Sequence, residues 1–260
     1  MNKKIIVFGN QKGGTGKSTL AMHLIVSLLI KGYKVAAIDA DAKQGTLSRY
    51  IENRIRTKSD NPNILVPICK PIFESINDSV TIGQRMDAIE FVELLSSLKN
   101  FDFIVIDTPG HDNNLARIAH SFADIIITPM NESFVDLDLI IKATPNKNNI
   151  QTSSYAEAVW NRKKERAQRD KGTIDWIILL NRMSSVESRN KKELERILNI
   201  LSKRLGFRLA RGFKDRIIFK ELFLSGLTLL DSNTSQSHMN LSHIAARQEL
   251  ADLLNTLNIQ

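Results

Sequence analysis

A chain of 260 residues, 42% hydrophobic, with a single cysteine, is long enough to bury a full core without covalent staples. The lone Cys69 excludes an internal disulfide framework and a cysteine-rich metal site, and it fits a reducing cytoplasm. The net charge of +8 is concentrated, because residues 161–221 hold 18 Lys/Arg against 8 Asp/Glu, an electrostatic footprint for phosphates or an acidic partner.

In chain order, Lys4 to Gly9 is a β-branched run ending in glycine and predicts a buried strand. Its apolar part, Ile5 to Phe8, is too short for a signal peptide. A glycine-rich turn follows, and Lys17 to Lys31 predicts a helix with Leu20, Leu24 and Leu28 on one stripe and a stop at Gly32. Lys34 to Asp39 predicts a second strand. Residues 53–85 are polar, carry Pro62, Pro67 and Pro71, and predict a long excursion. Asp87 to Leu98 predicts a helix, and Phe101 to Asp107 a strand broken by Thr108-Pro109-Gly110. Ala123 to Thr128 predicts a strand broken by Pro129, and Asn146 to Ser153 a loop. Ile174 to Leu180 is a further strand, Arg189 to Leu205 a basic amphipathic helix closed by Gly206, and Leu241 to Leu257 the last helix. Strands alternating with helices predict an α/β fold: a mostly parallel twisted sheet with helices on both faces, in one domain spanning 1–260 with a basic helical region at about 185–221. Gly9, Asp39, Asp107 and Asn181 all fall at strand C-terminal ends, the edge where such sheets bind ligands.

The chemistry sits at Lys12-Gly13-Gly14-Thr15-Gly16-Lys17-Ser18-Thr19. A strict Gly-x-x-x-x-Gly-Lys-Ser/Thr loop would start with glycine at position 11, which is Gln11. Gly13, Gly14 and Gly16 nevertheless let backbone N–H groups wrap phosphates with no Cβ in the way, and a helix N-terminus follows. In such a cradle Lys17 reaches the β- and γ-phosphates of a nucleotide, Ser18 ligates Mg²⁺, and Thr19 touches the α-phosphate. Asp107 ends an apolar strand where a Mg²⁺ shell needs an acid. Asp39 and Asp41 end another strand, and one of them can orient an attacking water, while the other joins Ser18 and Asp107 as a candidate metal ligand. Taken alone, a strand-end aspartate reads as a helix cap; three beside one cradle point to the nucleotide. Asn181 ends a strand where an amide can read the base, with Arg182 or the Phe213–Asp215 loop flanking the ring. His23 and His120 fall on helices and are expected to pack. No His/Cys pair has zinc spacing.

These residues, with Asp39-Ala40-Asp41 and Ile106 to Gly110, resemble the ParA/MinD family of P-loop ATPases with a deviant Walker A motif. Longer strings, among them Gly9 to Lys12, Thr128 to Asp136, Asp215 to Phe223 and Gly226 to Asp231, are similar to its MipZ branch of division-site positioning ATPases. The resemblance implies a sandwich homodimer in which Lys12 reaches the partner's nucleotide, Gly14 permits close approach, and Asp41 positions the hydrolytic water. It implies ATP and Mg²⁺ as cofactors. It further implies a dimer that binds DNA without sequence preference, inhibits FtsZ assembly, is recruited by a ParB-like centromere-binding protein, and is reset by hydrolysis. The corresponding location is cytoplasmic, on the nucleoid, enriched towards the cell poles.

Arg189, Lys192, Arg196, Lys203 and Arg204 recur at helical spacing and form the candidate DNA face, with Arg211, Lys214 and Arg216 extending it. A chromosome or plasmid partitioning ATPase of the ParA type is the nearest alternative. A MinD-like membrane switch is less favoured, because Leu241 to Gln260 carries Arg247 as its sole Lys/Arg and lacks the basic face of a membrane-surface helix. Cluster-bridging relatives need paired cysteines, which one Cys69 does not supply.

Overall fold

The uniformly apolar runs become strands covered on both faces. A computed structural model describes residues 3–142, 151–186, 188–231 and 241–258. The chain runs through β1 (Lys4–Phe8), α1 (Lys17–Ile30), β2 (Val35–Asp39), α2 (Thr46–Asp60), β3 (Ile68–Pro71), α3 (Val80–Ser97), β4 (Phe103–Asp107), α4 (Asn114–Phe122) and β5 (Ile125–Asn131). A 3₁₀ turn at Asp136–Leu139 leads to the short pair β6 (Ile141–Lys142) and β7 (Gln151–Thr152), then α5 (Ser154–Asp170) and β8 (Asp175–Asn181). The chain continues through α6 (Arg189–Leu205), β9 (Arg208–Arg211), α7 (Ile218–Ser225) and α8 (Leu241–Thr256).

Seven strands form one sheet in the order β3-β2-β4-β1-β5-β8-β9, and every neighbour pair is parallel. Ile5 and Val7 of β1 point to the face covered by α3, α4, α5 and α6. Ile6 and Phe8 point to the face covered by α1, α2, α7 and α8. Helix α1 lies inside the protein: it buries His23 and Ser27 as well as its leucines, so its surroundings are apolar on nearly every side. The register puts Phe8 and Asp39 both opposite Asp107, which brings three strand ends to one edge.

Four sequence expectations change. The 53–85 excursion is not a loop: α2 runs to Asp60, β3 adds an edge strand, and α3 starts at Val80, seven residues before Asp87. Helix α2 escapes a pattern search because its buried stripe of Leu47, Tyr50, Ile51 and Arg54 includes a charge. Pro129 does not end its strand, since β5 continues to Asn131. Pairing with β1 stops at Ile127, so the missing N–H of Pro129 costs no ladder bond on that side. The basic region at 185–221 is not wholly helical, because β9 crosses it. Of the loop expected at Asn146 to Ser153, Gln151 and Thr152 form β7 and Ser153 caps α5, while 146–150 lie outside the described residues.

Candidate nucleotide site

The turn after β1 is held from below before it wraps anything. Tyr155 donates its hydroxyl to the Gly9 carbonyl at 2.7 Å and bonds Thr128 Oγ1 at 2.8 Å, and Trp176 Nε1 donates to the same Thr128 oxygen. His120 lies against Gly9 so closely that a Cβ there would meet its Nε2 at 2.1 Å. His120 therefore packs beneath the turn, as expected, with Nδ1 bonded to the Ala116 carbonyl.

Above this base, Gly14 and Gly16 take left-handed φ angles of 72° and 87°, and Gly16 caps α1 with no side chain over the free N–H groups. A Cβ at Gly16 would also meet Asn181 Nδ2 at 2.4 Å, so both backbone conformation and space require glycine there. Asn181 Nδ2 donates to the Thr15 carbonyl at 2.8 Å, and its Oδ1 accepts the Phe213 N–H at 3.0 Å. The expected base-reading amide thus bonds backbone at both its ends, with one Nδ2 hydrogen left over. It ties the cradle to the β9–α7 loop and acts as a strut.

The acids divide by environment. Ser18 donates its hydroxyl to Asp107 Oδ2 at 2.5 Å. Burial pushes the Asp107 carboxyl up to about 7, against the opposing bond from Ser18, and its Oδ1 has no partner among the described residues. Thr15 Oγ1 is likewise buried without a partner. Orphaned oxygens on Thr15 and Asp107, beside a hydroxyl and a strand-end acid, are the donor set a hard cation and phosphates would satisfy. Asp39 differs from the expectation of a metal ligand. Its Oδ1 accepts the Asp41 N–H, and its Oδ2 accepts both the N–H and hydroxyl of Ser48. With both oxygens hydrogen-bonded, Asp39 shapes the turn that presents Asp41. Asp41 lines the cleft itself, and its carboxyl is pushed up by burial and by Asp39, with His111 and Lys17 opposing.

The two lysines also separate. Lys17 is buried, its pKa is lowered by that burial, and it donates to the Lys12 carbonyl at 3.1 Å. Lys12 turns away from the cradle: its Nζ donates to the Val135 carbonyl at 2.7 Å and pairs with Asp136 at 3.0 Å.

The cleft over the cradle holds about 710 Å³, within the range of small-ligand sites. Its far wall is aromatic, built by Phe213, Phe219 and Phe223, with Phe213 and Phe219 stacked at 4.7 Å. Phe219 and Phe223 were missed in sequence, where their i, i+4 spacing on a short helix was the available signal. Arg182 guards the near side: its Nη1 donates to the Gly14 carbonyl at 2.8 Å, from a strained φ of 51°. Lys214 and Arg216 line this cleft too, and Arg216 is locked in a half-buried pair with Glu249. Both thus line the cleft over the cradle besides belonging to the basic stretch.

His23 joins the cradle helix to this wall. Its Nδ1–H donates to the Thr19 carbonyl, its Nε2 accepts the Leu229 N–H, and its ring meets Phe213 and Phe219 edge-on. Burial pushes its pKa down to about 4 from 6.5. The unfolded chain takes up this proton first, so the stabilisation is complete above about pH 6.5 and is lost as pH falls towards 4, a contribution of about 3 kcal/mol. Guanidinium titrations across that window should show the decline in the native chain and a flatter profile in His23→Gln. Parallel profiles would remove His23 as its source.

On α6, Lys191, Leu194, Leu198 and Leu201 face inwards, and Arg189, Lys192, Arg196, Lys203 and Arg204 share the exposed side. Arg196 pairs with Glu193 at 2.7 Å and Arg211 with Glu195 at 2.9 Å. Part of the basic surplus is structural: Arg166 of α5 holds the Phe122 and Ala123 carbonyls at the end of α4, and Arg169 holds that of Ser121.

The family model described as ATPase MipZ matches residues 4–260. The VirC1 protein of Rhizobium rhizogenes is 27% identical over 135 residues, covering 52% of each chain. The chain spans about half the length of the first curated relatives it matches. Among solved structures, an ATP complex of McdA from Cyanothece aligns over 100% of this chain and 98% of that one, with a TM-score of 0.64 at 16% identity. MinD of Pyrococcus horikoshii with Mg-ADP aligns over 100% and 97%, with a TM-score of 0.58 at 19% identity. These share the fold. The chain belongs to the ATPase MipZ family.

Proposed function

We propose that this MipZ-family chain is an ATP-driven dimerisation switch whose dimer holds DNA and restrains FtsZ assembly, with hydrolysis returning it to monomers. One observation carries the reading: the cradle has two lysines and uses one, because Lys12 lies outside its own cleft. A buried Lys17 serves its own phosphates, and a half-exposed Lys12 at the rim is placed to serve a second copy. Gly13 to Thr19 would hold Mg·ATP, with Ser18 and Asp107 as metal ligands and the aromatic wall taking the base. The bound metal would supply charge neutralisation across the phosphates. The chain's own part is to wrap the phosphates with backbone N–H groups and to orient a water with Asp41.

No helix among the described residues is long and apolar enough to cross a membrane. Helix α8 buries Ala246, Leu250 and Leu253 against the core, which disfavours a membrane role for it. The DNA-binding side is α6. Lys203 and Arg204 carry no ion pair among the described residues, so they can neutralise phosphates without first losing a partner. Replacing both with Ala should weaken binding to two unrelated duplexes alike and reduce the log–log salt slope by roughly 1.8. An unchanged slope in fluorescence anisotropy would move the DNA site elsewhere. Light scattering of FtsZ polymers separates this reading from a partitioning ATPase. Disassembly on adding the ATP-state protein is expected here, and an unaffected polymer signal would favour partitioning.

A further inference from the structure

Helix α3 is acidic in a basic chain, with Asp87, Glu90 and Glu93 against Arg85. Its inner stripe, Gly83, Asp87, Phe91 and Leu95, packs on the core. Its outer side is also apolar: Ile82, Met86 and Ile89 follow at i, i+4, i+7, and Val92 continues the line. All four are 45–60% exposed. Just before the helix, Phe73 is 54% and Ile76 99% exposed. Six large exposed apolar side chains on and just before one helix are more than solvent alone favours.

The rim decides what fits. Asp78, Glu90 and Glu93 are exposed and Glu74 half-buried, against a single exposed Arg85, in a chain whose net charge is +8. Glu90 and Glu93 have no ion pair among the described residues. An acidic rim repels DNA and anionic lipid, and it repels a second copy of itself. It attracts an apolar stripe flanked by Lys and Arg. The surface also has a route to the chemistry. Phe73, with Ile72 and Glu74, forms one wall of a cleft whose opposite wall is Asp41 to Gln44 and His111.

We propose that the outer face of α3, with Phe73 and Ile76, is the docking surface for a basic amphipathic helix of a partner protein, which abuts the cleft behind Asp41. The proposal goes beyond the DNA binding and dimerisation proposed above and does not rest on them.

The test uses the full chain and two synthetic helical peptides with the same leucine stripe, one flanked by lysines and one by glutamates. At physiological salt the lysine peptide should bind roughly tenfold or more tightly than the glutamate peptide. Ile82→Asp with Ile89→Asp should abolish that binding. Glu90→Lys with Glu93→Lys should reverse the preference. Both variants change exposed side chains, and retained ATP binding and circular dichroism establish their folding. Equal binding of the two peptides, or binding indifferent to either variant, overturns the proposal. So does association of the chain with itself, or with phosphatidylglycerol vesicles, that Ile89→Asp removes: the occupant would then be a second copy or a membrane.

Discussion

Replacing Asp41 with Ala is expected to lower ATP turnover by at least about 100-fold while leaving nucleotide binding nearly unchanged. Asp41 lines the cleft and accepts the Gln44 N–H, whereas both oxygens of Asp39 are taken up by the Asp41 N–H and by the N–H and hydroxyl of Ser48. Its cleft-facing carboxylate is the group placed to orient water, and it lies outside the Gly13 to Thr19 cradle. Size-exclusion chromatography supplies the second readout. In ATP the variant should persist as a dimer, whereas the native chain returns to monomer as ATP is consumed. Adding Lys12→Ala to Asp41→Ala should restore the monomer, because the trapped dimer depends on the lysine that crosses. Turnover within fivefold of native would remove Asp41 from the water site. A monomeric Asp41→Ala under saturating ATP would refute the sandwich dimer.

The second large effect is on stability, at Arg54. This side chain is 1% exposed and forms a two-pronged pair with Asp231 at 2.7 and 2.8 Å. It also donates to the Leu65 and Gly226 carbonyls. Burial alone would raise the Asp231 carboxyl, but the bonds from Arg54 and Thr228 outweigh it and hold the group below the ordinary carboxylate range. Arg54→Ala leaves a buried carboxylate without its main counter-charge and two carbonyls without their donor. Breaking a buried pair on one side costs about 3–5 kcal/mol. For a chain of this size that is a fall in Tm of roughly 10 °C. Arg54→Lys should fall between, since an ammonium can meet Asp231 but cannot reach both carbonyls. A Tm within about 3 °C of native for Arg54→Ala would contradict this account. The same cluster seats the aromatic wall, because Tyr50, Asn53 and Thr57 of α2 donate to carbonyls at Leu227, Phe223 and Ser225. Nucleotide affinity should therefore weaken along with stability in Arg54→Ala.

The cradle was legible in the sequence because its chemistry is local. Gly14 and Gly16 need positive φ, and Lys17 and Ser18 follow at a spacing that a strand, a turn and a helix impose together. The central strands were legible for a related reason: a strand covered on both faces has nowhere to place a polar residue, so β1, β4 and β8 read as unbroken apolar runs. Helices α5 and α7 were not, and α4 only through His120, since each is short or largely polar and owes its place to what it packs on.

What only the tertiary structure decided is the division of labour among residues of the same type. Asp39 and Asp41 are two positions apart and chemically equal in sequence. A Ser48 backbone and hydroxyl nine residues away occupies one and leaves the other for the cleft. Asn181 reads as a base contact until Thr15 and Phe213, distant in the chain, take both ends of its amide. Lys214 and Arg216 belong to a basic stretch by sequence and to the nucleotide cleft by position, because β9 turns the chain back over the strand ends. The sequence by itself placed a glycine-rich cradle with two lysines, Lys12 and Lys17, after the first strand. Long-range packing, which no local pattern encodes, determined which acid lines the cleft, which amide is a strut and which cations still face solvent.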